Sequence, residues 1–387
     1  MRCEKVFLSE VCDLVPGYAF RGKDFGDFKD KVIKITHITP PTVDMDNLVG
    51  IDIDKYDISK LKKFIAQKGD YVLAMTGATI GKIGRVERGC AYVNQRVLLF
   101  KNKKCVDKNY LYYVLKQKEF EQYVFNHIDS NSAQPNISAS TIGNFSFDLP
   151  DLVFQKKIGD GLRLLDEKIA INRAINENLE RQAMAMFSSL YERSNTEVGY
   201  TDMIQILGGG TPKTGENTYW NGNIAFFTPK DVGTPYTLIT EKTITEEGLS
   251  HCNSRLYPVN TVFVTARGTV GKVGMSGVPM AMNQSCYALV GKETHQLLVY
   301  FYTLKAVDRL KHKASGAVFD AITTRDFESE QIMKLSDDDA TAFLRVAEPM
   351  FQEVLNNNIE NLRLSTLRDS LLPKLMSGEI DVSSVLL

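Results

Sequence analysis

Apolar positions along the chain change their spacing in the same order twice. Short apolar runs come first, broken by Gly, Pro and Asn: Val32-Ile33-Lys34-Ile35 and Tyr71-Val72-Leu73-Ala74, then Ile224-Ala225-Phe226-Phe227 and Thr261-Val262-Phe263-Val264. Their alternation and β-branched content predict strands. Asn109 to Phe125 and Gln296 to Lys313 carry helical spacing at matching places. From Phe154 to about Arg193 apolar residues recur every three or four positions, at Ile158, Leu162, Leu165, Ile169, Leu179, Ala183, Met186 and Leu190. Asn172 and Asn176 interrupt this seam at its middle. A shift of 185 residues gives Phe343, Ala347, Met350, Val354, Asn357, Asn361, Leu364, Arg368, Leu371 and Leu375, with both asparagine pairs coincident. Ordinary amphipathic core helices are one reading. Coincident polar positions favour a coiled coil whose register is set by Asn172, Asn176, Asn357 and Asn361 meeting in an antiparallel helix pair.

The globular stretches repeat as well, at a period near 185–190 residues. Val72 to Gly84 recurs as Val262 to Gly274, which sets Gly77 against Arg267. Tyr92-Val93-Asn94-Gln95 recurs as Ala281-Met282-Asn283-Gln284. Ser132-Ala133-Gln134-Pro135-Asn136-Ile137 loosely matches Gly316 to Ala321. A period this long means duplicated domains, since solenoid repeats are much shorter. Pro150-Asp151 and Ser336-Asp337-Asp338-Asp339 open the two helices with cap residues and carboxylates. Pro373 is expected to kink or end the second, with Gly378 just beyond. The expected order is a globular domain over 1–150, a helix over 151–194, a second globular domain over 195–335 and a helix over 336–387. The fold class is α+β: two duplicated, mixed α/β domains separated by two long antiparallel coiled-coil helices with pseudo-two-fold symmetry.

Composition adds little. Net charge is −1 over 387 residues, yet residues 1–150 carry 22 basic against 18 acidic side chains and residues 336–387 carry 4 against 9. A local basic patch can serve a nucleic acid within a neutral whole. No apolar run is long enough to span a membrane, and no secretory h-region follows Met1. A cytoplasmic protein with reduced thiols is expected, because the six cysteines form no Cys-x-x-Cys.

The glycine loops suggest where contacts lie. Gly77 to Lys82 and Gly268 to Lys272 have the wrong spacing for a phosphate-binding Walker loop and lack Ser or Thr after the lysine. Two readings remain: a tight turn with no ligand, or a turn presenting Thr76, Thr79 and Lys82, and Arg267, Thr269 and Lys272, to DNA. Asn94, Gln95, Asn283 and Gln284 can bond adenine bidentately, or bond backbone inside their own loops. Thr211, Lys213 and Lys230 follow Gly/Thr/Pro turns and are candidates for phosphate contact, with a solvated surface as the alternative. Gln134 is a further candidate. Trp220 is read as packed rather than stacked on a base. No Rossmann glycine fingerprint, nucleophile elbow, metal-ligand spacing or adenine-methyltransferase segment is present.

Two domains each followed by a long helix resemble the specificity subunits of type I restriction-modification enzymes. The local pieces are Gly209-Gly210-Thr211-Pro212-Lys213, Ile224 to Asp231, Thr265 to Gly271 and Leu371 to Glu379. The first domain opens differently, with Val15-Pro16-Gly17-Tyr18-Ala19-Phe20. The resemblance implies two target-recognition domains, each reading half of a split site on double-stranded DNA, and a helix pair acting as spacer. A helix of roughly 40 residues is about 60 Å long, which bounds the half-site separation at under two DNA turns. It also implies that catalysis lies elsewhere: modification subunits carry S-adenosylmethionine and methyl transfer, and a motor-nuclease restriction subunit carries ATP, Mg and cleavage. The rival readings are a methyltransferase or nuclease with its own recognition domains, and a coiled-coil scaffold that binds no DNA.

Overall fold

The computed structural model describes residues 3–129, 135–233, 235–313 and 321–382. The chain forms two compact units, residues 1–167 with 364–387, and residues 168–363. The boundaries differ from those expected, because each long helix contributes residues to both units. Seam residues of both helices lie in the units' own cores.

In the first unit the strand Cys3–Phe7 pairs antiparallel with Ser146–Pro150. Its larger sheet runs in the order Cys12–Pro16, Val97–Asn102, Tyr71–Ala74, Ile83–Arg85, Thr42–Val43, Ile38–Thr39. A smaller sheet runs Val49–Ile51, Phe25–Ile33, Cys90–Val93, Ile65–Gln67. The helical stretch expected from Asn109 to Phe125 is two helices, Lys108–Val114 and Lys118–Asn126. Asp107 caps the first through the Tyr110 N–H at 2.9 Å. Tyr71, Leu73, Phe100, Tyr110 and Phe120 form the core with Ile158, Leu162, Leu372 and Leu375 of the long helices. Each such side chain contributes about 1.5–3 kcal/mol on burial.

The second unit follows the same plan. Thr196–Gly199 pairs with Gln331–Lys334. The larger sheet runs Ile204–Gly208, Cys286–Gly291, Val262–Thr265, Val273–Ser276, Tyr236–Thr237, and the smaller Lys242–Ile244, Trp220–Phe227, Met280–Met282. Here the long helix of the repeat, Gln296–Lys313, is unbroken. Phe187, Phe301, Phe343 and Phe351 pack ring on ring at its centre.

The first long helix spans Leu152–Arg193 and the last Asp337–Met376. Asp151 Oδ1 accepts the Val153 and Phe154 N–H groups, and Ser336 Oγ accepts that of Asp339. The last helix continues past Pro373 to Met376, and Gly378, with φ +76°, closes it. Pro373 lies in the last turn, where the one backbone hydrogen bond it forgoes does not end the helix. In the second unit Asn172 Nδ2 donates to Asn361 Oδ1 at 3.0 Å and to Glu360 Oε2 at 2.7 Å. Asn357 Nδ2 donates to Asn176 Oδ1 at 2.9 Å, and Asn176 Nδ2 to Asn358 Oδ1 at 3.0 Å. The early residue of one helix meets the late residue of the other, so the two segments run antiparallel. In the first unit the seam's odd residue, Arg368, pairs with Asp166, which also accepts the Tyr113 hydroxyl at 2.6 Å.

Candidate nucleic-acid interface

Hydrogen-bond ladders fix how the two units correspond, and they revise the alignment read from letters. Leu73 pairs with Leu98 and Ile83, as Val264 pairs with Tyr287 and Val273. Nine residues lie between Leu73 and Ile83 but eight between Val264 and Val273. The first hairpin loop is therefore one residue longer. Met75 N–H donates to Arg96 O as Ala266 N–H donates to Ser285 O. Thr76, not Gly77, thus corresponds to Arg267, and Gly77 (φ +72°) corresponds to Gly268 (φ +83°), both in the left-handed region that favours glycine. Ile137 N–H donates to Met75 O as Ile322 N–H donates to Ala266 O, so the third match shifts by one as well. Gln134 lies outside the described residues.

Four loops of the second unit gather at the carboxyl ends of the strands Ile204–Gly208, Trp220–Phe227, Val262–Thr265 and Met280–Met282. Gly209 is required there, because a Cβ would strike the carbonyl oxygens of Met282 and Asn283. Gly17 meets those of Val93 and Asn94 in the same way, which makes it the counterpart of Gly209 despite the different sequence around it. Thr211 donates to Gln284, linking two loops. Thr269 Oγ1 donates to Pro229 O at 3.2 Å, linking two more. The buried Thr265 braces the hairpin loop: its Oγ1 accepts the Lys272 N–H at 2.9 Å and donates to Thr269 O. Asp231 Oδ2 accepts the Thr228 N–H at 2.8 Å. In the first unit His37 takes the same part, its Nδ1 accepting the Lys34 N–H at 3.0 Å. Burial, then the nearby Lys34 charge, lowers the His37 pKa and favours the neutral acceptor.

Not every expected contact residue faces outward. Thr76 is buried, 3% exposed, so its side chain is no phosphate ligand in this arrangement. Asn94 Oδ1 accepts the Gln95 N–H at 2.7 Å, and Asn283 Oδ1 accepts the Ser285 N–H at 3.0 Å. In both asparagines the Oδ1 serves the loop's own backbone, which leaves its second lone pair and the Nδ2 group for a base. Lys230 pairs with Glu241 at 3.6 Å, and both side chains are exposed. Thr79 is half-buried. Gln95, Lys82, Lys213, Arg267, Thr269, Lys272 and Gln284 are exposed. Trp220 donates to Lys213 O at 3.1 Å and stands edge-on to Phe226, which ties down the Lys213 loop. Sequence reasoning missed Arg21, the counterpart of Lys213, and Arg96, which lies beside the Asn94 turn. Both are exposed. The Asn-Gln match ended one residue short of Arg96, whose counterpart Ser285 differs and so gave no repeat signal.

Among the described residues no group of three or more His, Cys, Asp or Glu is placed to hold a metal ion, and no helix is long and apolar enough to cross a membrane. The fold and these loops define a duplicated α/β protein with one cation-bearing polar loop cluster per unit. The family profile described as type I restriction modification DNA specificity domain matches residues 2–181 and 194–334, and the chain belongs to that family. It is a specificity subunit of a type I restriction-modification system, a class that acts in a complex with other subunits and DNA. It is 23% identical over 362 residues to the type I restriction enzyme HindI specificity subunit of Haemophilus influenzae, covering 72% of this chain and 79% of that one. It is 32% identical over 124 residues to the MjaIX specificity subunit of Methanocaldococcus jannaschii, covering 30% and 29%. The crystal structure of a type I S subunit from M. genitalium shares the fold, with a TM-score of 0.63, 13% identity, and coverage of 97% and 96%.

Proposed function

We propose that each unit reads one half of a split DNA sequence through its loop cluster, and that the chain itself catalyses nothing. The observation that carries this reading is the repetition of one loop scaffold with different side chains. Gly17 and Gly209 meet equivalent carbonyls, Asn94 and Asn283 make equivalent backbone hydrogen bonds, and Gly77 and Gly268 share a positive φ. Arg21 stands for Lys213, and the buried Thr76 stands where Arg267 is exposed, so the two surfaces differ in chemistry. One scaffold with two surfaces suits two different half-sites.

Modification subunits would supply S-adenosylmethionine and methyl transfer, and a restriction subunit ATP, Mg and cleavage. Purified chain alone should show no methyltransferase, nuclease or ATPase activity, while its complex with the modification subunit should bind DNA with a steep salt dependence. Robust activity from the chain freed of copurifying subunits, or salt-independent binding, would end the reading.

A further inference from the structure

We infer that Arg96 in the first unit and Arg267 in the second are the residues that read a base edge in their respective half-sites. The inference rests on the two-unit reading above and assigns the specificity contact within it.

The positions follow from strand order. In the second unit the loop edge runs from the strand Ile204–Gly208, which leads to Lys213, through Cys286–Gly291, preceded by Ser285, to Val262–Thr265, followed by Arg267, and then Val273–Ser276, preceded by Lys272. In the first unit the same order leads to Arg21, Arg96, Thr76 and Lys82. Each unit thus has a cation at either end of the row and one arginine on the two middle strands. The middle positions are tied together by backbone: Ser285 O accepts the Ala266 and Arg267 N–H groups at 2.8 and 3.2 Å, and Arg96 O accepts the Met75 N–H at 2.9 Å.

The arginine has changed strands between the units. Where the second has Arg267 facing Ser285, the first has Thr76 facing Arg96. Thr76 is buried, whereas Arg96 and Arg267 are exposed and have no side-chain partner among the described residues. Each arginine is held at its root by a fixed loop: Arg96 by the turn that Asn94 closes, Arg267 by the hydrogen bonds to Ser285. The flanking cations suit phosphates, which lie on both sides of a groove, and the central guanidinium suits what lies between them. Its planar fork matches the O6 and N7 acceptors of guanine in the major groove. Adjacent strands lie about 4.8 Å apart, so the change of strand moves the contact by on the order of one base step.

The test is the pattern of methylated sites in cells that express the full chain with its modification partner. Arg96→Ala should relax a single guanine position in one half of the split motif, by about tenfold or more, and leave the other half intact. Arg267→Ala should do the reciprocal. The untouched half is the internal control for folding. Arg96→Gln should also relax that position, because its amide sets one donor beside one acceptor and suits adenine rather than guanine. An unchanged motif in Arg96→Ala, a wild-type motif in Arg96→Gln, or loss of both halves in both Arg96 variants overturns the inference. A wild-type chain that yields no split motif instead overturns the two-unit reading beneath it.

Discussion

Asn357 donates its side-chain amide to the side-chain carbonyl of Asn176 at 2.9 Å, and both residues are only 5% exposed. With Asn172 and Asn361 they form a polar layer in the helix contact, beside apolar residues such as Val354 and Leu179. Removing one member should cost more than removing all. Asn176→Leu leaves the Asn357 amide buried without its partner, a loss of about 1–3 kcal/mol. Replacing Asn172, Asn176, Asn357 and Asn361 together with Leu leaves only Asn358 and Glu360 to find new partners, and both reach water. Denaturant unfolding should show the quadruple variant at least as stable as the single one. A quadruple variant destabilised by the sum of four single losses would mean that the layer contributes net stability rather than register.

Lys82 and Lys272 end the hairpin loops of the two units and are exposed. Lys82→Ala or Lys272→Ala should weaken DNA binding by the modification complex alike on every sequence. Each should also lower the slope of log affinity against log salt by about one unit. Unchanged slopes in both variants would place these lysines away from the backbone.

His37 gives the first unit a pH response. Burial, then the Lys34 charge, holds its pKa below the ordinary 6.5. The unfolded chain therefore binds the proton first. The histidine's contribution to stability is full above about pH 6.5 and is lost as pH falls toward the lowered value. The unfolding midpoint should drop between about pH 7 and pH 5 more steeply for the natural chain than for His37→Asn. The asparagine amide oxygen can accept the Lys34 N–H without titrating, as the Asp231 carboxylate accepts that of Thr228. Equal slopes would remove His37 from the pH response.

The duplication, the order of elements and the asparagine positions were legible because they are written as spacing. The seam at Asn172, Asn176, Asn357 and Asn361 needs only a period and a shift. The loops were less so. Matching letters without a gap set Gly77 against Arg267, since an ungapped match hides a one-residue insertion, whereas the pairing of Leu73 with Ile83 and of Val264 with Val273 exposes it. The break between Val114 and Lys118 was hidden because its residues have no helix-breaking chemistry. That Asn94 and Asn283 serve their own turns could not be separated from base contact by residue type, since the same amide does both. Burial of Thr76 and the pairing of Lys230 with Glu241 depend on folding partners distant in sequence.

The central claim is that two units of one chain read two halves of one DNA site. Mapping methylated positions across the genome of cells that carry this chain with its modification partner, against cells that lack it, tests that claim directly. The expected result is one motif made of two short specified blocks separated by a spacer of fixed length and free sequence. A single uninterrupted motif, or a methylation pattern unchanged by the presence of the chain, would contradict it.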